Sequence, residues 1–421
     1  MQRFVLKLNR GRNMKKYFND ERDVFFEKRF GLFIHWGIYS VAGWHEQHGY
    51  RGGVDRHEYA KFADKFNPMD FNPGEWVDLA EKTGMQYICF TSKHIDGFCM
   101  FDTEYTDFNI MNTPYGKDIL KELSDECHRR NFPLAIYYSP IDRNNPLYPS
   151  VGRAYENKEH YPKDTPDMER YMEYLKGQVT ELCTNYGKLH AFWWDGGRHM
   201  EHCDESVNEL VRNLQPGILI NNRGFSDGDF RTPERDWDEY VDNDLVFDVP
   251  TEACQSIGTE SWGYRINEDY YSTRHLIESI DKILAKGGNY LLNAGPMSDG
   301  RFPDEAIKIL GEIGGWYRNV CEAFIDTEPY QCGLDNKDVL ITKKGHDLYI
   351  HLYKFPKSHV VWLKPLYELP KSAVVLNDNS TVETFVEMTP TIFKEEKPFL
   401  RISGIPVSKF ANEVIVIRLE Y

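Results

Sequence analysis

An α/β architecture, a (β/α)8 TIM-like barrel followed by a C-terminal antiparallel β-sandwich, is predicted by three features of this chain. In the first two-thirds, short β-rich runs alternate with amphipathic stretches. The runs fall at 30–36, 87–93, 134–139, 191–194, 218–221 and 290–293, and the helical patterns at 74–83, 119–130, 168–186, 206–214 and 273–285. Apolar strands separated by such helices are βα units around a parallel sheet. No G-x-G-x-x-G follows the first run, which argues against a doubly wound dinucleotide fold. Near 328–336 the texture changes: β-prone pieces at 339–342, 347–353, 359–362, 373–376, 391–393 and 413–419 follow one another with no helix between them. That spacing predicts a β-sandwich, so the expected division is a barrel over 1–333 and a sandwich over 334–421.

Composition narrows the function. Of 421 residues, 66 are Asp or Glu and 50 Lys or Arg, a net charge of -16 that argues against a nucleic-acid partner. Aromatic residues reach 14%, which suits stacking on sugars. The eight cysteines form no C-x-x-C pair, and Cys89, Cys183 and Cys321, set in or beside apolar runs, are expected as buried thiols. No apolar stretch reaches the ~20 residues that cross a bilayer. The basic opening at 1–10 has too short an apolar run for a signal peptide, so a cytoplasmic chain is expected, or a periplasmic or secreted one if a signal was trimmed.

The chemistry concentrates at strand ends, where barrels of this type build their sites. Strand one ends at His35-Trp36-Gly37, strand two at Lys93-His94-Ile95-Asp96, strand three at Tyr137-Tyr138-Ser139, and strand five at Asn221-Asn222-Arg223. Strand four ends at Phe192-Trp193-Trp194-Asp195-Gly196-Gly197, an aromatic run closing on one carboxylate. Aromatic faces pack against the C–H side of a pyranose, and a partly desolvated carboxylate serves as nucleophile or base. A zinc site from His35, His94 and Asp195 is disfavoured, because the ligands come singly and no H-E-x-x-H occurs. No metal and no cofactor are expected.

Ordered matches then carry a resemblance. FGLFIHWG at 30–37, TSKHIDGF at 91–98, FDT at 101–103, YYS at 137–139, WWDGG at 193–197, GDFRTPE at 228–234, SWGY at 261–264 and GGNYLLN at 287–293 resemble the glycoside hydrolase family 29 α-L-fucosidases. The resemblance implies a retaining exo-glycosidase acting on a fucosylated glycan, with Asp195 as nucleophile and Arg223 supporting its charge. It implies an acid/base Glu in a Trp-Glu-x-Cys segment, matched here by Glu252 with Thr251 in place of the Trp; Glu260 is the rival and Glu234 the third choice. Sugar contacts fall to His35, Glu46, His94, Tyr138, Trp193 and Trp262.

One departure stands out. Many relatives carry two adjacent histidines where this chain has His94-Ile95, so one polar contact is lost or supplied elsewhere. It motivates a rival reading, a glycosidase for another sugar such as an α-L-galactoside. A second rival, a catalytically silent glycan-binding protein, requires that no carboxylate lie opposite Asp195.

Overall fold

The computed structural model describes residues 17–149, 161, 163–196, 204–235, 246–388 and 397–421. The opening segment 1–10, Cys203, Gly197 and the expected strand at 391–393 lie outside the described residues.

Seven parallel strands form the first sheet: β1 Phe30–Ile34, β2 Ile88–Lys93, β3 Leu134–Tyr138, β4 Ala191–Trp194, β5 Leu219–Ile220, β6 Glu252–Ser256 and β7 Asn289–Asn293. Their order is β5-β4-β3-β2-β1-β7-β6, which leaves β5 and β6 as the two edges. The stretch 230–234 joins those edges. Asn221 bridges Phe230 on one side, while Arg231 and Glu234 bridge Thr251 and Cys254 on the other, all in parallel. The N–H groups of Asn222 and Glu252 donate to Phe230 and Arg231 at 2.9 and 2.8 Å. The barrel is thus shut by an extended segment with isolated bridges on each side.

Helices start where the sequence supplies caps. Asn72, Asp118, Asp167 and Ser272 each accept a backbone N–H from the first turn of Pro73–Thr83, Ile119–Arg130, Met168–Asn185 and Thr273–Ala285. Two of the elements absent from the sequence expectation complete the barrel layer. β6 (EACQS) has no aliphatic run, and the helix Asp304–Val320 is interrupted by Gly311, Gly314 and Gly315, which read as breakers.

The strands are buried on both faces, and alternation sorts their side chains into two clusters. Phe33, Cys89, Ala135, Tyr137, Ala191, Trp193, Leu219, Cys254 and Leu291 fill the barrel interior, with Phe25, Phe26 and Tyr87 below them. Leu32, Phe90, Ile136, Tyr138, Phe192, Trp194 and Leu292 belong to the layer beneath the helices. Cys89 and Cys183 are buried; Cys321, expected buried, is half-buried at the end of the helix Asp304–Val320.

The C-terminal region is antiparallel. Strands β8 Glu328–Pro329, β9 Leu340–Lys344, β10 Asp347–Leu352, β12 Ser372–Val375, β13 Ser380–Thr381 and β16 Ile415–Glu420 form one sheet; β11 Val360–Leu363, β14 Glu383–Glu387 and β15 Phe399–Ser403 form the other. Leu348, Ile350, Leu363, Val375, Leu400, Ile402 and Ile417 are among the residues packed between them. The sandwich is fastened to the barrel by a buried pair, His351 Nδ1 to Asp281 Oδ1 at 2.8 Å, and by Trp316 Nε1–H donating to the Val414 carbonyl. No helix among the described residues is long and apolar enough to cross a membrane.

Candidate active site

Asp195 is the first residue beyond β4, and its N–H still donates to the Tyr138 carbonyl at 3.1 Å. The chain then turns sharply at Gly196, where φ is +85° and a Cβ would meet the Ile141 side chain at 2.6 Å. Glycine is required there on both counts. Asp142, next to Ile141, pairs with the buried Lys93 at 3.2 Å.

Two groups hold the Asp195 carboxylate. Tyr137 O–H donates to Oδ2 at 2.8 Å, and Arg223 Nη2 reaches Oδ1 at 3.1 Å. The same Nη2 binds Glu234 Oε2 at 2.8 Å. The Asp195 and Glu234 oxygens are therefore no farther apart than the two lengths combined, about 6 Å; retaining pairs lie about 5–5.5 Å apart and inverting pairs about 6.5–9.5 Å. Burial works against the charge on Arg223, but Asp195 and Glu234 outweigh it and raise the guanidinium above its ordinary value. Asn221 prepares this arrangement: its amide accepts from Trp194 N–H and donates to the Trp194 carbonyl, continuing the β4 edge past the two-residue β5.

Aromatic and polar side chains complete the pocket. Trp193 lies under it, stacked on Tyr137 at 5.5 Å with Arg223 over its face at 5.1 Å. His94 stacks on the same Tyr137 at 5.7 Å and meets His35 edge-on. His35 Nδ1 is 2.8 Å from Asn293 Oδ1, and Asn293 Nδ2 donates to the Trp262 carbonyl. Those partners fix the amide orientation, so His35 Nδ1 carries the proton and Nε2 is an acceptor. Burial above all, then the nearby His94, pushes the His35 pKa down to about 3. Glu46 is buried, and its Oε2 accepts from Ser261 Oγ and from the N–H groups of Trp262 and Gly263 at 2.8, 2.9 and 3.3 Å. It thereby sets the loop that presents Trp262.

Of the expected site residues, His35, Glu46, His94, Trp193, Asp195, Arg223 and Trp262 line this one pocket together. Tyr138 and Glu252 do not. Tyr138 points outward, its O–H donating to Gln178 on the helix Met168–Asn185, because it is one step out of phase with the inward Tyr137. The register pairs Tyr137 with Trp193 and Tyr138 with Trp194, and the second tryptophan likewise points outward to Asn208. Alternation counted back from Asp195 makes Trp193 the inward residue of β4, and the register then makes Tyr137 the inward residue of β3.

Glu252, expected as the acid/base, opens β6, so it lies at the strand's N-terminal end, away from the mouth. There it accepts from Tyr87 O–H at 2.5 Å and from Trp193 Nε1–H at 3.2 Å, and burial raises its pKa to about 7. Glu260 is exposed and its N–H is tied to Glu268. Glu234, the third choice, is the glutamate brought beside Asp195. The signal for it lay in GDFRTPE, whose role in closing the barrel no local pattern discloses. Ile95 faces a neighbouring cavity with Tyr50, Val54, Tyr59 and Arg143, which shares only Glu46 and Gln47 with the Asp195 pocket. Among the described residues, no group of three or more His, Cys, Asp or Glu is placed to hold a metal ion.

The chain was compared with known proteins. A family model described as alpha-L-fucosidase matches residues 11–322. Tissue alpha-L-fucosidase of Rattus norvegicus is 26% identical over 373 residues, covering 81% of this chain and 78% of the relative. Alpha-L-fucosidase of Dictyostelium discoideum is 27% identical over 375 residues, covering 80% and 78%. Among solved structures, alpha-L-fucosidase isoenzyme 1 from Paenibacillus thiaminolyticus superposes with a TM-score of 0.81 at 30% identity, over 94% of this chain and 97% of that one.

Proposed function

We propose that this chain, which belongs to the alpha-L-fucosidase family and is a glycoside hydrolase, removes terminal α-L-fucosyl residues by double displacement. Asp195 is the nucleophile and Glu234 the acid/base. The observation that carries this reading is the single Arg223 nitrogen shared by the two carboxylates.

In the first step an Asp195 oxygen attacks the anomeric carbon as Glu234 passes a proton to the departing glycosidic oxygen. The glycosyl–Asp195 ester forms and the aglycone leaves. In the second step Glu234 takes a proton from water, the hydroxide oxygen bonds to the anomeric carbon, and Asp195 is released as carboxylate. Anomeric configuration is retained after two inversions. Tyr137 and Arg223 hold the Asp195 carboxylate at a fixed position, which is how positioning lowers a barrier. His35 offers a neutral Nε2 acceptor to a sugar hydroxyl, and Trp193, Tyr137 and Trp262 supply the aromatic walls for the ring's C–H faces. A silent binding protein would have no carboxylate opposite Asp195, and Glu234 counts against that rival.

The test uses an aryl α-L-fucoside beside the matching α-L-galactoside. Hydrolysis of the fucoside is expected, with the α-configured sugar of retention as the first product. Glu234→Ala should lose activity on poor leaving groups by about 10²- to 10⁴-fold and regain turnover with azide, giving the α-fucosyl azide. Turnover of the galactoside alone overturns the sugar assignment, and azide rescue of Glu252→Ala instead overturns the acid/base assignment.

A further inference from the structure

We infer that Glu252 is a positioning residue: from the closed end of the barrel it holds the Trp193 indole, and through that ring the two groups that orient Asp195. The inference rests on the reading of Asp195 as nucleophile.

The chain of contacts is continuous. Glu252 is 3% exposed at the start of β6. One of its oxygens takes Trp193 Nε1–H and the other takes Tyr87 O–H. Tyr87 is itself immobilised: its ring lies over Gly31, where a Cβ would come within 2.3 Å, and meets Phe25 edge-on at 5.0 Å. Glu252 is thus anchored from below and grips upward. Above it, the Trp193 ring packs against Phe33 at 5.2 Å, against Tyr137 and against the Arg223 guanidinium. Tyr137 and Arg223 are the two donors to the Asp195 carboxylate. Both therefore rest on one indole whose single polar atom is tied to Glu252. An indole N–H is donor only, so without Glu252 it is a buried donor with nothing to bond and the ring tilts to find a partner. Small displacements of a reacting group cost rate steeply.

A glutamate that merely filled the core would leave the kinetics alone, and an acid/base glutamate would not tolerate an amide. Glutamine satisfies both donors here, its oxygen accepting from Trp193 and its NH2 donating to the Tyr87 oxygen. The test compares the full-length chain with Glu252→Gln, Glu252→Leu, Trp193→Phe and Trp193→Phe/Glu252→Leu on an aryl α-L-fucoside. Glu252→Leu should lose about tenfold or more in kcat with KM changed less than about threefold, and Glu252→Gln should recover most of that loss. In the Trp193→Phe background, which has no N–H to hold, Glu252→Leu should cost nothing further. An unchanged kcat in Glu252→Leu, or Glu252→Gln as impaired as Glu252→Leu, overturns the inference while leaving the fucosidase reading standing. If Glu252→Leu fails to fold, the Trp193 indole N–H resonance, assigned with Trp193→Phe, decides between wild type and Glu252→Gln. Exchange protection in both supports the inference, and rapid exchange in wild type sinks it. That resonance also tests the contact if wild type turns over no fucoside, an outcome that sinks the functional reading alone.

Discussion

The two ends of the barrel hold glutamates in opposite circumstances. At the mouth, Glu234 is 29% exposed and shares a guanidinium with Asp195, itself 26% exposed. At the base, Glu252 is buried with only a phenol and an indole for partners, and its pKa rises to about 7. Identical carboxyl groups acquire different work from their surroundings: a cation and access to solvent suit proton exchange with substrate and water, while desolvation and two fixed donors suit holding a ring in place.

The comparison breaks first at the mouth. Asp195→Ala should lower kcat by about 10⁴-fold or more while the thermal unfolding midpoint stays close to wild type, because it deletes the proposed nucleophile and no core volume. Initial rates beside a calorimetric scan check this; near-normal turnover would remove Asp195 from its role. Arg223→Met should cost about 10²- to 10³-fold in kcat, since it leaves Asp195 and Glu234 facing each other without a shared cation. Raising the ionic strength should restore little of that loss, in contrast to a surface pair.

At the base the expected effect is on stability. Glu252 titrates near 7 folded against 4.5 for the free side chain, so the folded state binds the proton more tightly. Its contribution is favourable below about pH 4.5 and is lost as pH rises through 7, up to about 3 kcal/mol. Urea unfolding between pH 5 and 8 should show a fall in wild type that Glu252→Gln lacks; parallel curves would contradict the assignment. The smallest contrast lies within one strand. Tyr137→Phe should slow kcat about tenfold, whereas Tyr138→Phe should spare kcat and destabilise by about 1–2 kcal/mol by stranding the Gln178 oxygen.

Much of this was legible in the chain because it depends on local pattern. The parallel strands from β1 to β5 and β7 announce themselves as apolar runs, and Asp195, His35 and His94 follow from reading the residues at their ends. Tyr138 was mistaken for Tyr137 because a run of two tyrosines does not reveal its phase, which the pairing with Trp193 sets. Glu252 was matched to the acid/base by its Glu-x-Cys segment, and because β6 has no aliphatic signature nothing in the chain showed that this residue opens a strand. Glu234 was ranked last because its nearness to Asp195 depends on the bridges to Asn221 and Cys254, contacts between segments that no window of sequence contains.

Those bridges also bear on how the molecule fails. Continuous ladders join the other neighbouring staves of the barrel, whereas the stave at 230–234 is stitched by one isolated bridge on the β5 side and two on the β6 side. Arg223 precedes that seam and Glu234 ends it, so any opening there parts the carboxylate pair while the remaining strands stay zipped. On heating, activity should therefore vanish some degrees before the circular dichroism changes, and amide exchange at Asn222, Arg231 and Cys254 should run ahead of exchange at Phe33 and Phe90.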